Sequence, residues 1–211
     1  MRHEPRHLRL SNLLGFALLT TSLRHRLDRE FRINKVRIIG GSHRRRLIEF
    51  PDADGLRPTP DRVRETLFNW LGQTLDGRRC LDLFAGSGAL GFEAASRGAT
   101  EVVMVERNRT VYRNLQENIK KLGFTNIALR GEDGLEFAKQ QSRPFDVIFL
   151  DPPFQSDYLP ILLPLLVDKL AADGMVYVES GAPFEPDAMW QVIKQARAGA
   201  VFYQLMQYGQ A

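Results

Sequence analysis

The chain lacks the residues that staple small folds or hold metals. Of its 211 residues only Cys80 is a cysteine, which excludes an internal disulfide and a cysteine-based zinc site. Its four histidines, His3, His7, His25 and His43, show no metal-like spacing, so no metal is expected. None lies further along the chain, so no Ser-His-Asp or Cys-His arrangement is available for nucleophilic catalysis. No stretch reaches the roughly 18 apolar residues of a membrane span. Residues 13–19 (LLGFALL) are a short apolar run between arginines, with no small-x-small cleavage pattern after it. A cytoplasmic protein without a membrane partner, and a monomer, is expected. Neither an internal repeat nor a low-complexity tract is visible.

What is present is a sizeable apolar fraction and an uneven charge. Hydrophobic residues make up 44% of the chain, enough for one substantial core. The net charge of +4 hides a gradient. Residues 1–34 carry seven arginines against three acids, and residues 35–64 carry eight Lys/Arg against four. The remainder carries 14 Lys/Arg against 18 acids. A basic N-terminal end on a mildly acidic body suits a polyanionic partner, although a solvated basic surface would look the same.

Strand-like runs at 36–39 and 47–50 flank Gly40-Gly41-Ser42-His43 and Arg44-Arg45-Arg46, which predicts a basic β-hairpin. Thr59-Pro60 reads as an N-cap followed by proline at the first helical position. Val63, Leu67, Phe68 and Leu71 then make a helical apolar face, stopped at Gly72. From residue 79 strands and helices alternate. Strands are expected at 80–84, 101–105, 127–129, 145–150 and 174–178. Helices are expected up to about residue 97 and at 109–122, 134–140 and 160–170, the last one kinked or shortened by Pro164. Residues 190–196 and 200–206 read as a closing antiparallel hairpin. This rhythm predicts an α/β, Rossmann-like, mostly parallel sheet covered on both faces. Residues 1–34 read as a flexible or weakly helical extension, 35–72 as a basic hairpin-and-helix appendage, and 73–211 as the main domain.

Two loops carry chemistry. Asp82-Leu83-Phe84-Ala85-Gly86-Ser87-Gly88-Ala89-Leu90-Gly91 places Gly-x-Gly-x-x-Gly between a strand and a helix, where glycines let a ligand approach the backbone. Glu106 ends the next strand and can accept both hydroxyls of a ribose. These features alone fit NAD and S-adenosylmethionine equally. Asp82 favours S-adenosylmethionine, because a carboxylate at that strand end suits an ammonium group and repels a pyrophosphate. Asp133 can accept from an adenine amine, and it also suits the N-cap of helix 134–140. The expected cofactor contacts are therefore Asp82, Phe84, Ala85, Gly86, Gly88, Glu106 and Asp133.

The second loop is Asp151-Pro152-Pro153-Phe154, after the fourth strand of the main domain. In isolation it would pass for a turn capping the following helix. Two prolines remove two backbone donors and fix φ. They leave an acceptor-only loop made of the Asp151 carboxylate and the Pro152 carbonyl. Such a loop suits an exocyclic amine, with Phe154 as a stacking face for its base. The base must be unpaired or flipped out of its stack to reach it. Asp151 would stabilise the positive charge that develops on nitrogen; whether it or water takes the proton is left open.

The residues also resemble a known family. Arg37-Ile38-Ile39-Gly40-Gly41, the block Arg57-Pro58-Thr59 with Asp61-Arg62-Val63-Arg64-Glu65, the Asp82–Gly91 and Asp151–Phe154 loops, and Tyr177-Val178-Glu179-Ser180 are similar to the bacterial 16S ribosomal RNA guanine-N2 methyltransferases of the RsmD type. The resemblance runs from about residue 36 to about 208. It implies a seven-stranded Rossmann-like fold, S-adenosylmethionine as cofactor and a small-subunit rRNA guanine as substrate. Family members often have Asn where this chain has Asp133. Arg44, Arg45, Arg46, Arg57, Arg62 and Arg64 would then contact phosphates, while Arg57 and Thr59 could instead close over the cofactor. Three other readings stay open: an amino-methyltransferase for adenine or cytosine, a nicotinamide oxidoreductase, and a non-enzymatic RNA-binding protein.

Overall fold

The computed structural model describes residues 33–52, 56, 58–153 and 157–209. Residues 1–32 of the extension expected over 1–34, Arg57 and Phe154 lie outside the described residues, whereas Ile33 and Asn34 belong to the first strand.

Two N-terminal strands, β1 (Ile33–Arg37) and β2 (Leu47–Pro51), pair antiparallel, and α1 (Asp61–Trp70) follows them. The main body then alternates: β3 (Arg79–Asp82), α2 (Ala89–Ser96), β4 (Glu101–Val105), α3 (Arg109–Leu122), β5 (Ile127–Arg130), α4 (Gly134–Gln140), β6 (Phe145–Leu150) and α5 (Tyr158–Leu166). It closes with β7 (Leu170–Ser180), β8 (Trp190–Ala198) and β9 (Val201–Tyr208). The seven-stranded sheet has the order β5-β4-β3-β6-β7-β9-β8. Strands β3 to β7 are parallel, and β9 pairs antiparallel with both β7 and β8. The chain leaves β3 toward β4 and later returns to its other side at β6. That reversal opens a crevice at the carboxyl ends of β3 and β6, the usual ligand position in open α/β sheets.

Local sequence explains most boundaries. Asn108 caps α3 by accepting from the backbone N–H groups of Thr110 and Val111 at 2.9 and 3.2 Å. Gly123 ends that helix with φ of 78°, the left-handed conformation that glycine adopts without strain. Pro164 sits inside α5 and has no N–H to return to the preceding turn. The helix stops at Leu166, and residues 167–169 tighten into a 3₁₀ turn, so the run expected to residue 170 is shorter.

Two local readings need correction. The hairpin connection is longer than a tight turn at residues 40–43: the strand ladder ends at Arg37↔Leu47, and Ile38 closes the loop with backbone bonds to Arg45 and Arg46 at 2.8 and 2.9 Å. This loop docks on α2. Ser42 N–H donates to the Ser96 carbonyl at 2.7 Å, and the Ser96 hydroxyl donates to the Gly40 carbonyl at 2.6 Å. A Cβ at Gly41 would lie 1.8 Å from the Ser96 carbonyl oxygen, so only glycine fits that approach. Thr59 is not the N-cap of α1 either. Pro60 holds the N-cap position, with no side-chain capping bond.

The hairpin and α1 share one apolar core with the sheet. Val36, Ile38, Ile48 and Phe50 pack with Leu67, Phe68, Phe92 and Phe149 on the face covered by α1, α2 and α3. Helices α4 and α5 cover the opposite face, over Leu81, Val103, Ile148 and Val176. Helix α2 is buried on every side, so its single acid, Glu93, must be neutralised internally. Glu93 accepts from Arg64 at 3.1 Å, Arg97 at 2.8 Å and the backbone N–H groups of Ile39 and Gly40. On the hairpin's outer edge, the Asn118 side chain accepts from Glu49 N–H at 3.2 Å and donates to the Glu49 carbonyl at 2.7 Å.

Candidate active site

Parallel strands deliver their end residues to one edge. Asp82 ends β3, Asp151 follows β6, and Glu179 lies at the end of β7, one position past the Leu150↔Val178 pair. The three acids thereby come together at the carboxyl edge. Asp82 and Glu179 are each 2% exposed. Asp151 is partly exposed as a residue, with Pro152 buried and Pro153 exposed beside it.

The glycine loop adopts the shape its sequence suggests. Gly86 and Gly88 have φ of 50° and 80°, and helix α2 starts directly after Gly88. Two acids hold this loop. The Asp82 carboxylate accepts from Gly91 N–H at 2.9 Å. Glu106 accepts from Gly86 N–H at 3.0 Å and Asn108 N–H at 2.6 Å. Asp82 is thus turned inward onto the loop, where it sets the loop's position. Ala85 is buried, and its N–H donates to the Val105 carbonyl. Phe84 packs against Tyr158 with ring centroids 5.3 Å apart. Asp133 does cap α4, accepting from Leu135 N–H at 2.9 Å, and its other oxygen lies 3.5 Å from Arg107.

Burial and mutual repulsion raise the proton affinity of the acids. Asp82 is raised to about 7, first by burial and then by Glu106 and Glu179. Asp151 is raised well above the carboxylate range by burial, Glu179 and Asp82. Glu179 is raised to about 7 by burial, against Thr59 and Tyr177, which favour its ionised form. The Tyr177 hydroxyl donates to Glu179 at 3.0 Å. The Thr59 side chain lies beside Asp151 and Glu179 and favours the ionised form of each, against their burial. Among the described residues, no Lys or Arg pairs with Asp82, Asp151 or Glu179.

The expected RNA-facing arginines divide. Arg44, Arg45, Arg46 and Arg62 are exposed and make no ion pair among the described residues. Arg64 is a correction: it is fully buried, bonded to Glu93, Asp61, the Arg37 carbonyl and the Thr59 carbonyl. Its place on α1, facing the core beside Leu67 and Phe68, withdraws it from solvent and from any phosphate. A cleft of about 490 Å³ runs between the hairpin and residues 58–61, lined by Lys35, Arg37, Leu47 and Thr59. A larger one, about 720 Å³, lies at the other end of α2 against Gly41 and Arg97 and contains none of the site acids.

Reasoning from sequence passed over Tyr177 and Glu179 as site residues. The signal was present, because Glu179 ends an apolar parallel strand just as Asp82 and Glu106 do.

The acid-rimmed glycine loop at the switch point suits a nucleotide that carries positive charge, and the fold around it is that of the Rossmann-like methyltransferases. A solved Escherichia coli structure described as methyltransferase yhhF superposes with a TM-score of 0.76 at 41% identity, covering 83% of this chain and 98% of that one. At 15% identity and a TM-score of 0.61 the fold recurs in a methyltransferase complexed with SAH, over 76% of this chain and 53% of that one. The family model described as Conserved hypothetical protein 95 matches residues 36–207. Ribosomal RNA small subunit methyltransferase D of Escherichia coli K12 is 43% identical over 179 residues, 82% of this chain and 90% of that protein. Its Haemophilus influenzae counterpart is 41% identical, over 82% and 94%. The chain belongs to the ribosomal RNA small subunit methyltransferase D family.

Proposed function

We propose that the protein transfers the methyl group of S-adenosylmethionine to the exocyclic N2 amine of a guanine in 16S ribosomal RNA. The observation that carries this reading is the position of Asp151-Pro152, an acceptor-only pair beside the glycine loop and within a cluster of buried acids. When bound, S-adenosylmethionine supplies an electrophilic methyl on a cationic sulfur. Positive charge suits a site whose acids lack a cation among the described residues, whereas a dinucleotide pyrophosphate would be repelled. Gly86, Gly88 and Glu106 would hold the nucleoside, Asp82 would set the loop and offer charge to the ammonium, and Asp133 and Phe84 would border the adenine.

The target amine donates to the Asp151 carboxylate and the Pro152 carbonyl. Held by both, its lone pair turns out of conjugation and toward the methyl. The cationic sulfur beside it favours the ionised form of Asp151, which then stabilises the charge that grows on nitrogen during attack. Phe154 supplies the stacking face for the base, and Arg44, Arg45, Arg46, Arg57 and Arg62 hold the flanking phosphates. The amine loop accepts any exocyclic amine; the identity of guanine rests on the kinship with rRNA small subunit methyltransferase D.

Mass spectrometry of rRNA nucleosides from cells lacking the protein tests the assignment. Loss of N2-methylguanosine from 16S rRNA, restored by the purified protein with S-adenosylmethionine, is the expected result. Loss of a methylated adenosine or cytidine in its place would replace guanine in this reading. Binding of NAD without binding of S-adenosylmethionine, by calorimetry, would end it.

A further inference from the structure

Strand alternation sets two acids side by side. Phe149 on β6 and Tyr177 on β7 are register partners, and their rings meet edge to face at 6.4 Å. Both belong to the core on the face covered by α1, α2 and α3, and both are fully buried. Two residues further along each chain stand Asp151 and Glu179. Alternation returns both acids to that same face, one layer nearer the carboxyl edge. Adjacent strands lie about 4.8 Å apart, and Glu179 is the charge that most raises Asp151.

Glu179 is held in place without being neutralised. Tyr177, on the same face of the same strand, donates its hydroxyl to Glu179 Oε1 at 3.0 Å. The Tyr177 ring is itself fixed between Phe149 and Tyr203, at 6.4 and 6.3 Å. Among the described residues no Lys or Arg pairs with Glu179. An acid that is 2% exposed and lacks a cation calls for hydrogen-bond donors, and a bound base can bring one.

We propose that Glu179, positioned by Tyr177, is the residue that reads guanine, by accepting from the ring N1–H next to the amine held at Asp151. The proposal rests on the guanine reading above and supplies the discrimination that the amine loop lacks. Guanine carries two kinds of donor on neighbouring atoms of its pairing edge, the N2 amine and N1–H. Acceptors at two neighbouring strand ends match them. In adenine and cytosine the ring nitrogen next to the amine has no hydrogen and is an acceptor. An ionised Glu179 would face its lone pair and repel it, so one residue both selects guanine and rejects the other two. A cationic cofactor next to the acids favours that ionised form. The N1–H bond also offsets the burial that raises Glu179 to about 7.

The test compares two RNA substrates. One is a 16S rRNA fragment spanning the target guanine, and the other is the same fragment with 2-aminopurine at that position. 2-Aminopurine keeps the amine at C2, but its N1 carries no hydrogen. The wild type should favour guanine by about 10²-fold in kcat/KM. Glu179→Gln should bring that ratio to within a few-fold of one, because its amide can donate to the bare N1. Tyr177→Phe, which leaves the acid in place, should lower the ratio part of the way. Affinity for S-adenosylmethionine, by calorimetry, should stay within a few-fold in both variants. A residue that only supported the fold would lower both rates and leave their ratio alone. A wild-type ratio in Glu179→Gln would overturn the reader, as would a wild type that treats the two fragments alike. If Glu179→Gln does not fold, Tyr177→Phe decides, and an unchanged ratio there overturns the proposal. If the guanine reading itself is wrong, the wild type methylates neither fragment, an outcome distinct from a lost preference and fatal to both.

Discussion

Arg64 donates to Glu93 at 3.1 Å with both side chains fully enclosed. The pair links three parts of the molecule. Glu93 belongs to the helix that begins at the glycine loop, and it also receives the backbone of Ile39 and Gly40 from the hairpin connection. Arg64 reaches the Arg37 and Thr59 carbonyls. A mutual ion pair keeps the basic hairpin, the glycine loop and the target site in one frame.

Removing Glu93 should be costly, because Arg64 keeps only the exposed Asp61 as a counter-charge while Arg97 and the Ile39 and Gly40 N–H groups lose their acceptor. Glu93→Ala is expected to lose about 3–5 kcal/mol of stability, read from urea or guanidinium unfolding. Replacing both residues with apolar side chains of similar size should lose less than the two single changes summed. A Glu93→Ala protein as stable as the wild type would mean that the pair adds nothing to the fold.

Asp151→Asn keeps the shape of the amine loop and removes its negative charge. The expected result is a fall in kcat of about 10²–10⁴-fold with affinity for S-adenosylmethionine almost unchanged, since Gly86, Gly88 and Glu106 are untouched. Parallel losses of affinity and rate, measured by calorimetry and single-turnover assay, would make Asp151 a cofactor ligand rather than the amine's partner.

Arg44, Arg45 and Arg46 are exposed without acidic partners among the described residues. Replacing all three with alanine should weaken binding to a 16S rRNA fragment. It should also lower the slope of log affinity against log salt by up to about 2, at roughly 0.7 per phosphate on single strands. An unchanged slope would assign the cluster to plain solvated surface. Arg64→Ala, in contrast, should leave that slope alone.

The buried acids predict an inverted dependence of stability on pH. Asp82 and Glu179 are raised to about 7, while carboxyls in an unfolded chain titrate near 4. Between about 4 and 7 the folded state therefore holds more protons than the unfolded one. Their contribution to stability falls as pH rises through that window. Calorimetric melting of the ligand-free protein should show Glu179→Gln less sensitive than the wild type between pH 5.5 and 8, and saturating S-adenosylmethionine should recover stability at the upper end. Equal sensitivity of variant and wild type would place the titration elsewhere.

Periodicity and punctuation made most of the fold legible. The Asn108 cap, Gly123, and the glycines between β3 and α2 mark their elements directly, and apolar runs mark the parallel strands. The acids at strand ends were legible one by one, but their convergence was not, since it depends on β6 lying between β3 and β7. Arg64 misled because its charge suggested solvent, while its position on α1 beside Leu67 and Phe68 already placed it on the buried face. Thr59 misled in the opposite way. A threonine before a proline and a helical run reads as a cap, yet Pro60 takes that position, and the acids beside Thr59, Asp151 and Glu179, lie about 90 and 120 residues downstream.

The Asn118 amide bonds the N–H and carbonyl of Glu49 on the side of β2 away from β1. In effect a helix side chain imitates one rung of a third strand. That edge of the hairpin is closed to an extended segment from another molecule, which would need the same two groups. Strand-by-strand stacking of hairpins between copies is blocked there by one amide, while the arginines between the strands remain open to a phosphate backbone.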